Sequence, residues 1–337
     1  MTHSGKRYLY ISIGIAITIA LLWQLFRDID YGQLRSALAG ANYWWILPNV
    51  ALIILTMYQR AYRWHFMVLP IKKIAFSKLL AATCVGFMAN NVLPLRLGEF
   101  VRAYSLASQD KGITKSASLA TIFVERMIFD LVALLLILGS VLTFASFTPD
   151  EAMKRGVLIA VGVAFVGIAF ITFLALHPER AGTLLSRYLK FLPEKGRLAV
   201  KDVIVRFSFG LKFLASPKAV FSVTMQTILI WLILGYSNFF VLKAFGFDLP
   251  IDACFVLLVV VSISILVPSS PGFVGVYHYG AVWALTDYGI PREDALSFAI
   301  VLHATQYLVV TAMGFYYLRK EHLSLKKLEE EATDEVA

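Results

Sequence analysis

Two short, charged stretches interrupt an otherwise apolar chain. Together they hold six ionisable residues: Arg96, Glu99, Arg102, Glu125, Arg126 and Asp130. Arg126 and Asp130 are four residues apart, so on a helix they share a face and can form an ion pair. An arginine guanidinium matches the geometry of phosphate oxygens, and a helix that begins near Gly98 would add the positive end of its dipole. The two stretches therefore predict a binding site for an anionic or phosphate-bearing group.

Two other interpretations compete with ligand binding at these residues. The arginines and acids can simply join neighbouring helices, with Arg126 and Asp130 as a structural ion pair. Glu125 also lies roughly 13 Å into its predicted helix, at about 1.5 Å per residue, and a carboxylate at that depth can carry protons.

A second polar set, without charge, belongs to the same predicted site. Its members are Asn91, Ser269, Ser270, Tyr277, His303 and Gln306. The serines and the tyrosine lie in a Pro/Gly-rich segment, residues 268–278, whereas His303 and Gln306 lie in the last apolar segment at a depth that matches Arg126. The alternatives are a tight turn of small residues for close packing and a histidine that only makes a packing hydrogen bond.

The sequence carries no signature of an enzyme. It has no Walker A motif, no metal-ligand spacing and no nucleophile elbow. We therefore expect a protein that is not an enzyme, with no catalytic residue, no metal and no cofactor. Cys84 and Cys254 lie in apolar runs and are expected to be small core hydrophobes.

The composition predicts an all-α polytopic membrane protein. Hydrophobic residues make up 59% of the 337 residues, charged residues only 16%, and the mean hydropathy is +0.73. Soluble domains are about half apolar and about a quarter charged, and several apolar runs here reach the roughly 20 residues that span a bilayer as a helix. The net charge of +9 is then explained by Lys and Arg on the cytoplasmic side, and no nucleic acid is expected as a partner.

Six apolar segments are predicted to span the membrane: residues 8–25, 43–63, 117–145, 156–176, 219–245 and 295–318. Basic stretches at 60–78, at 177–218 and after the last span assign these regions, and both termini, to the cytoplasm. That topology requires residues 77–109 to form a re-entrant hairpin from the cytoplasm and residues 251–288 to form one from the outside. Apolar residues at helical spacing within 177–218 predict a basic helix on the membrane surface.

The two predicted hairpins share a pattern of Pro and Gly residues, which predicts an internal repeat. Residues 92–98 align with residues 266–272 at an offset of 174, and Gly112 aligns with Gly289 at an offset of 177. Inverted repeats with broken helices are typical of secondary transporters.

The predicted domain organisation follows from this repeat. Each half, about 8–145 and about 156–319, would hold about three spanning helices plus one re-entrant helical hairpin, with the second half inverted. A single transmembrane domain is predicted over residues 1–328. The short tail, residues 329–337, is acidic and is expected to be disordered.

Three motifs resemble a known family: Asn91-x-x-Pro94-x-Arg96-x-Gly98-Glu99-x-x-Arg102, Glu125-Arg126-x-x-x-Asp130 and Pro268-x-x-Pro271-Gly272-x-x-Gly275-x-Tyr277. Over residues 10–320 the chain resembles the flippase-like family that includes the transmembrane domain of lysylphosphatidylglycerol synthase and free-standing bacterial relatives. The resemblance implies a lipid-translocating domain with paired re-entrant helices and no enzymatic activity of its own. The sequence departs from the family at His278, where many relatives have an acid. The synthases' soluble aminoacyl-transfer domain is not expected, because the chain ends at Ala337.

We therefore expect a lipid flippase or transporter of the bacterial cytoplasmic (inner) membrane. It would move an anionic phospholipid or a polyprenyl-phosphate-type lipid between leaflets, with lipid-modifying enzymes as further partners. Arg96, Arg102 and Arg126 would receive the headgroup, and the neighbouring acids would orient the arginines or carry protons. The alternatives are a membrane-embedded enzyme that uses Glu99 or His303 as its base, and a scaffold subunit in lipid or polyprenyl-linked glycan biosynthesis.

Overall fold

The structure is a computed structural model that describes residues 3–144 and 210–336, with isolated positions between 155 and 208. The predicted span over 156–176 and most of the predicted surface helix over 177–218 lie outside the described residues. The start of the predicted second half lies outside them as well.

The described residues form helices and no strands. In chain order the helices are α1 (His3–Phe26), α2 (Tyr31–Gly40), α3 (Ile46–Val68), α4 (Phe76–Val92), α5 (Gly98–Gln109), α6 (Lys115–Val124), α7 (Leu131–Phe144), α8 (Pro217–Ala244), α9 (Ile251–Ser264), α10 (Val276–Asp287), α11 (Arg292–Lys320) and α12 (Leu325–Val336). Short 3-10 turns lie at Tyr43–Trp45, Pro94–Arg96, Lys212–Ala215 and Pro271–Phe273.

Helices of spanning length and composition are present among the described residues. Pro217–Ala244 (α8) and Arg292–Lys320 (α11) are each long and apolar enough to cross a bilayer, in agreement with two of the predicted spans. A third crossing results if residues 12–26 and α2 count as one span, although their axes differ by 90°.

A short helix, α2, lies between the first two predicted spans, where no helix was predicted. Residues 31–40 form α2, and Asp30 caps its N-terminus by accepting hydrogen bonds from the backbone amides of Gly32 (2.7 Å) and Gln33 (3.1 Å). An aspartate at this position satisfies amides that have no partner within the helix. The composition of this stretch is balanced in charge, which concealed a short helix.

A π-helical segment, Glu125–Asp130, separates α6 from α7. The sequence predicts one continuous helix over 117–145, and the chain is helical through Phe144, but its hydrogen bonds change to the i→i+5 pattern at the charged residues. π-helical turns are rare and often occur at functional sites. The extra residue in the turn brings Glu125 and Asp130 to the buried side, where both side chains are enclosed.

The two predicted hairpins are present as pairs of packed helices. Helices α4 and α5 pack together on either side of Pro94–Arg96, which we call the first tip. Helices α9 and α10 pack together on either side of Pro271–Phe273, the second tip. The two tips contact each other, and the second tip also contacts α4.

Backbone geometry changes the alignment of the two tips. Leu95 and Arg96 have φ of 64° and 56°, and Gly272 and Phe273 repeat this with 73° and 61°. Pro94 therefore corresponds to Pro271, which lies 177 residues later, and not to Pro268 as the offset of 174 suggests. Helices α6 and α11 begin 177 residues apart as well, so one offset relates both pairs of elements.

Each hairpin lies in its own hydrophobic core. The first core gathers α3, α4, α5 and α6 around fully enclosed side chains such as Trp64 and Met88. The second gathers α9, α10 and α11 around Leu257, Leu285 and Phe298. Cys84 and Cys254 are free and buried within apolar clusters, as expected.

The C-terminal tail differs from its prediction. Residues 325–336, which include most of the acidic stretch, form helix α12, and this helix packs on α5. Leu328 is buried in the first core, and Glu331 pairs with Lys115 at the start of α6. An apolar anchor and an ion pair thus order a segment whose composition favours disorder.

We predict that Gly86→Ala will destabilise the protein. Helices α4 and α5 approach so closely that a methyl group at Gly86 would lie 2.5 Å from Arg102 Cβ and 2.8 Å from the carbonyl oxygen of Gly98. Overpacking of this kind costs about 1–3 kcal/mol. Thermal unfolding in detergent should show the loss, and Gly139→Ala, whose methyl group meets nothing within 4 Å, should not. Equal unfolding temperatures for the two variants would contradict the close approach.

A second prediction concerns Asp110, in the loop between α5 and α6. Its carboxylate accepts a 2.6 Å hydrogen bond from Lys72 and bonds from the Gly112 amide (3.0 Å) and from Lys78 (3.4 Å). These interactions, that from Lys72 above all, lower the Asp110 pKa from 3.8 to about 2. The stabilisation is therefore present above pH 3.8 and is lost as the pH falls through about 2.

Asp110→Asn should accordingly lower the unfolding temperature at neutral pH and lose its effect in strong acid. Asp28→Asn is the matched control, because Asp28 pairs with Arg27 in an exposed ion pair that contributes little. If the unfolding temperature of Asp110→Asn stays below that of the wild type by the same amount from neutral pH to strong acid, the pKa assignment is contradicted.

Candidate functional site

Arg63, in the last third of α3, lies at the centre of a buried charge cluster. Its side chain has no solvent exposure. One terminal nitrogen lies 2.7 Å from Glu125 Oε1, and the other lies 2.6 Å from Asp130 Oδ1 and 2.9 Å from Thr227 Oγ1. The positive-inside count assigned Arg63 to a cytoplasmic loop. The loop part of that assignment is wrong, because α3 continues to Val68 and the Arg63 side chain is buried against neighbouring helices.

Arg102 lies on the other side of Glu125. Its Nη1 donates a 2.9 Å hydrogen bond to the same Glu125 oxygen, and its guanidinium lies 4.0 Å from the centre of the Trp64 ring. Trp64 is in turn held by a 2.8 Å hydrogen bond from its Nε1 to Thr121 Oγ1. The side chain of Arg102 is only 2% exposed, so it positions Glu125 and offers no open surface to a ligand in this conformation.

Arg126 extends the cluster toward its accessible end. It contacts Asp130 at 3.1 Å, as the spacing of four residues predicts, and Glu99 at 3.3 Å. Glu99 therefore pairs with Arg126, and no ion pair joins it to Arg102. Asp130 also accepts a 3.3 Å hydrogen bond from Trp231 Nε1 of α8.

The contacts form one alternating chain of cations and anions, in the order Arg102, Glu125, Arg63, Asp130, Arg126 and Glu99. We call it the ion chain. Its members come from α3, α5 and the π-helical segment. The inner four are buried, whereas the side chains of Arg126 and Glu99 are 26% and 30% exposed. The ion chain thus runs from the core to a half-open end.

Two further arginines lie beside this open end. The guanidinium carbons of Arg60 and Arg126 lie 4.7 and 5.0 Å from the centre of the same Phe87 ring. Arg60 contacts no carboxylate among the residues that the structure describes. Arg96, in the first tip, interacts electrostatically with Glu99 and Arg126.

Asn90 and Asn91 organise the first tip. Asn90 accepts a 2.8 Å hydrogen bond from the Gly98 amide, so it caps α5, and it donates to both Glu99 oxygens at 3.3 Å. Asn91 donates to Thr311 Oγ1 at 2.9 Å, which ties the tip to α11.

Arg96 joins the first tip to the second hairpin. It donates a hydrogen bond to the carbonyl oxygen of Ile265, just after α9. Its guanidinium carbon also lies 4.7 Å from the centre of the Phe273 ring in the second tip. Arg96 and Phe273 are the corresponding positive-φ residues of the two tips, so equivalent positions meet across this contact.

The second tip is surrounded by side chains that are polar but uncharged. His303 Nε2 lies 2.8 Å from the carbonyl oxygen of Gly272, and because a carbonyl only accepts, this nitrogen carries a proton. Tyr277 stacks on His303 at 4.5 Å and donates a 3.2 Å hydrogen bond to Gln306 Oε1. His278 packs edge-on against His303 at 4.7 Å.

The two predicted serines lie at the outer side of this tip, against α1. The Ser270 amide donates a 3.0 Å hydrogen bond to Thr18 Oγ1, and the backbone of Ser269 lies close to Gly14. They are thus apart from the ion chain, and their contacts hold the second tip to the first helix.

Sequence reasoning missed Arg60, Arg63 and Phe87. Both arginines lie near the end of a predicted span, and the apolar character of the chain continues beyond them to Val68. That continuation was the available signal, because it places both arginines inside a helix and not in the loop that follows it.

We predict that Arg63→Met will be strongly destabilising. The change leaves Glu125 and Asp130 without their buried cation, and removal of one partner from a buried pair costs roughly 3–5 kcal/mol. The measurement is thermal unfolding in detergent, with Arg27→Met, at an exposed ion pair, as the control. Adding Glu125→Gln and Asp130→Asn should recover part of the loss. An Arg63→Met protein that unfolds at the wild-type temperature would overturn this role.

Comparison with known proteins identifies the family. The lysylphosphatidylglycerol synthase TM region family matches residues 11–314. A UPF0104 membrane protein of Methanothermobacter thermautotrophicus is 23% identical over 333 residues, which cover 93% of this chain and 94% of the relative. A second UPF0104 membrane protein, from Methanocaldococcus jannaschii, is 26% identical over 251 residues, 71% of this chain and 98% of the relative. No solved structure matches the chain. The chain therefore belongs to the lysylphosphatidylglycerol synthase TM region family and is a multi-pass integral membrane protein.

Proposed function

We propose that this protein is a lipid flippase that moves an anionic or phosphate-bearing lipid between the leaflets of the cytoplasmic membrane. The observation that carries the proposal is the half-open, cationic end of the ion chain. Ionisable groups within a membrane protein are costly and usually mark the path of a substrate or an ion. Here they lie beside two helical hairpins whose tips are in contact.

In this mechanism the accessible arginines receive the headgroup. Arg126 and Arg60 flank Phe87, and Arg96 lies on the first tip. A phosphate can accept charge-assisted hydrogen bonds from guanidinium groups, which are stronger than bonds to neutral acceptors. The acyl chains would stay in the surrounding lipid while the headgroup moves through the protein.

The buried part of the ion chain would have a different task. Arg63, Arg102, Glu125 and Asp130 are paired to one another and enclosed, so they serve as a rigid base that fixes Arg126. We assign headgroup contact to Arg126, Arg96 and Arg60. Arg102 has a positioning role instead, although its residue type alone suggested headgroup contact.

The two tips would control access. We propose that the hairpins are re-entrant and enter from opposite sides, as halves of an inverted repeat, with both termini in the cytoplasm. The contacts of Arg96 with Ile265 and Phe273 then close the path between the hairpins. A headgroup that binds Arg96 would weaken this closure, because a phosphate is a better partner for a guanidinium than a carbonyl oxygen is.

The alternative of an enzyme is less well supported, and we propose a protein without catalytic chemistry. An enzyme would need Glu99 or His303 as a base. Glu99 is occupied by Arg126 and Asn90, and His303 already donates its Nε2 proton to a backbone carbonyl.

Leaflet exchange in proteoliposomes tests the proposal. Wild-type protein should accelerate the exchange of a fluorescent, phosphate-bearing lipid over protein-free vesicles. Arg126→Gln should slow exchange at least about tenfold, which corresponds to about 1.4 kcal/mol. The control is Lys243→Gln, at an ion pair with the exposed Asp248. Exchange at the wild-type rate in a folded Arg126→Gln protein would overturn the site, and no exchange of any lipid by wild-type protein would overturn the function.

A further inference from the structure

We infer that the headgroup taken by this site carries two negative charges, as a phosphate monoester or a diphosphate does. A phosphodiester headgroup carries one, and a zwitterionic headgroup has no net charge. The inference rests on the proposed function, because it names the substrate class of the same site.

The positive and negative charges around the ion chain do not balance. Five guanidinium groups and three carboxylates are grouped there: Arg60, Arg63, Arg96, Arg102, Arg126, Glu99, Glu125 and Asp130. Arginine stays protonated in proteins, and each carboxylate contacts at least one arginine. The group as a whole therefore carries two positive charges in excess.

The excess positive charge lies outside the ion chain itself. The ion chain itself alternates three cations with three anions and is neutral. The excess belongs to Arg60 and Arg96, neither of which contacts a carboxylate in the part of the chain that the structure describes. Each guanidinium lies over an aromatic ring instead, Arg60 over Phe87 and Arg96 over Phe273.

Aromatic rings are weak partners for such cations. A ring face attracts a guanidinium through its quadrupole, which does not neutralise the charge. Arg96 also donates to the Ile265 carbonyl, which again brings no negative charge. Both side chains are thus held in position while their charge remains available to an anion.

The geometry suits a phosphate that bears several oxygen atoms. Arg60 and Arg126 both lie within about 5 Å of the centre of the Phe87 ring, so two guanidinium groups share one region of the open end. Two arginines presenting parallel N–H groups can each bind a pair of phosphate oxygens. A dianion would compensate both excess charges, a monoanion one of them, and a zwitterion neither.

Matched lipids can test this inference by isothermal titration calorimetry on the full-length protein in detergent. The ligands are dioleoyl phosphatidic acid, a phosphate monoester, and dioleoyl phosphatidylglycerol, a phosphodiester with the same acyl chains. A mildly alkaline buffer brings the monoester close to two charges. We expect phosphatidic acid to bind at least about tenfold more tightly than phosphatidylglycerol, and dioleoyl phosphatidylcholine to bind most weakly.

Variants at position 60 test whether the preference for the phosphate monoester depends on Arg60. Arg60→Gln should reduce the preference for the monoester to within about threefold, Arg60→Lys should keep most of it, and Lys243→Gln should leave it unchanged. The Lys variant retains the charge, so it separates loss of charge from loss of fold. Phosphatidylglycerol binding as tightly as phosphatidic acid, or an unchanged preference in folded Arg60→Gln protein, would overturn the inference.

Two further measurements distinguish a failure of the charge inference from a failure of the proposed function. Inorganic phosphate should bind far more weakly than phosphatidic acid, and equal binding would mean that the site takes free phosphate, which contradicts a lipid ligand. If phosphatidylglycerol binds as tightly and is exchanged between leaflets, the charge inference fails and the flippase stands. If wild-type protein exchanges none of these lipids, the proposed function itself fails.

Discussion

A guanidinium group without access to solvent must keep its carboxylate partners, and much of this structure follows from that constraint. Arg63 is enclosed on α3 and is bound to two acids from one π-helical segment and to Thr227 of α8. Helix α3, the π-helical segment and α8 are therefore joined at one point. Water cannot replace these interactions unless the helices move apart. The remaining charges attach to this point in sequence, from the buried pair of Arg102 and Glu125 to the partly exposed pair of Arg126 and Glu99.

The π-helical segment explains how one helix supplies both acids. Glu125 and Asp130 are five residues apart, and in a regular α-helix such residues point in different directions. The i→i+5 hydrogen bonds turn them toward the same arginine. Two small residues, Gly86 and Gly98, have a comparable role in the first hairpin, because their lack of a side chain lets α4 and α5 approach closely enough for Arg102 to reach Glu125.

Contacts between residues that are close in the sequence could be predicted for this site. Contacts between residues that are far apart in the sequence could not. The pair of Arg126 and Asp130 follows from a spacing of four residues, which places both side chains on one face of a helix. Arg63 could not be found in this way, because its acidic partners lie 62 and 67 residues away and the positive-inside rule treats an arginine after an apolar run as part of a loop. The π-helical turn escaped detection because one extra residue hardly disturbs a helical pattern. Helix α12 escaped because its composition is that of a disordered tail, while its order depends on Leu328 and Glu331 contacting distant residues.

The two tips share a backbone conformation but not the residues that adopt it easily. The first tip holds Leu95 and Arg96 consecutively at positive φ, whereas the second has a glycine, Gly272, at the first of these positions. A residue with a side chain gives up about 1–2 kcal/mol in this conformation, and glycine gives up almost nothing. The first tip therefore holds about 1–2 kcal/mol more backbone strain than the second. Any movement that returned Leu95 to negative φ would release this strain, and the second tip has no equivalent release at Gly272.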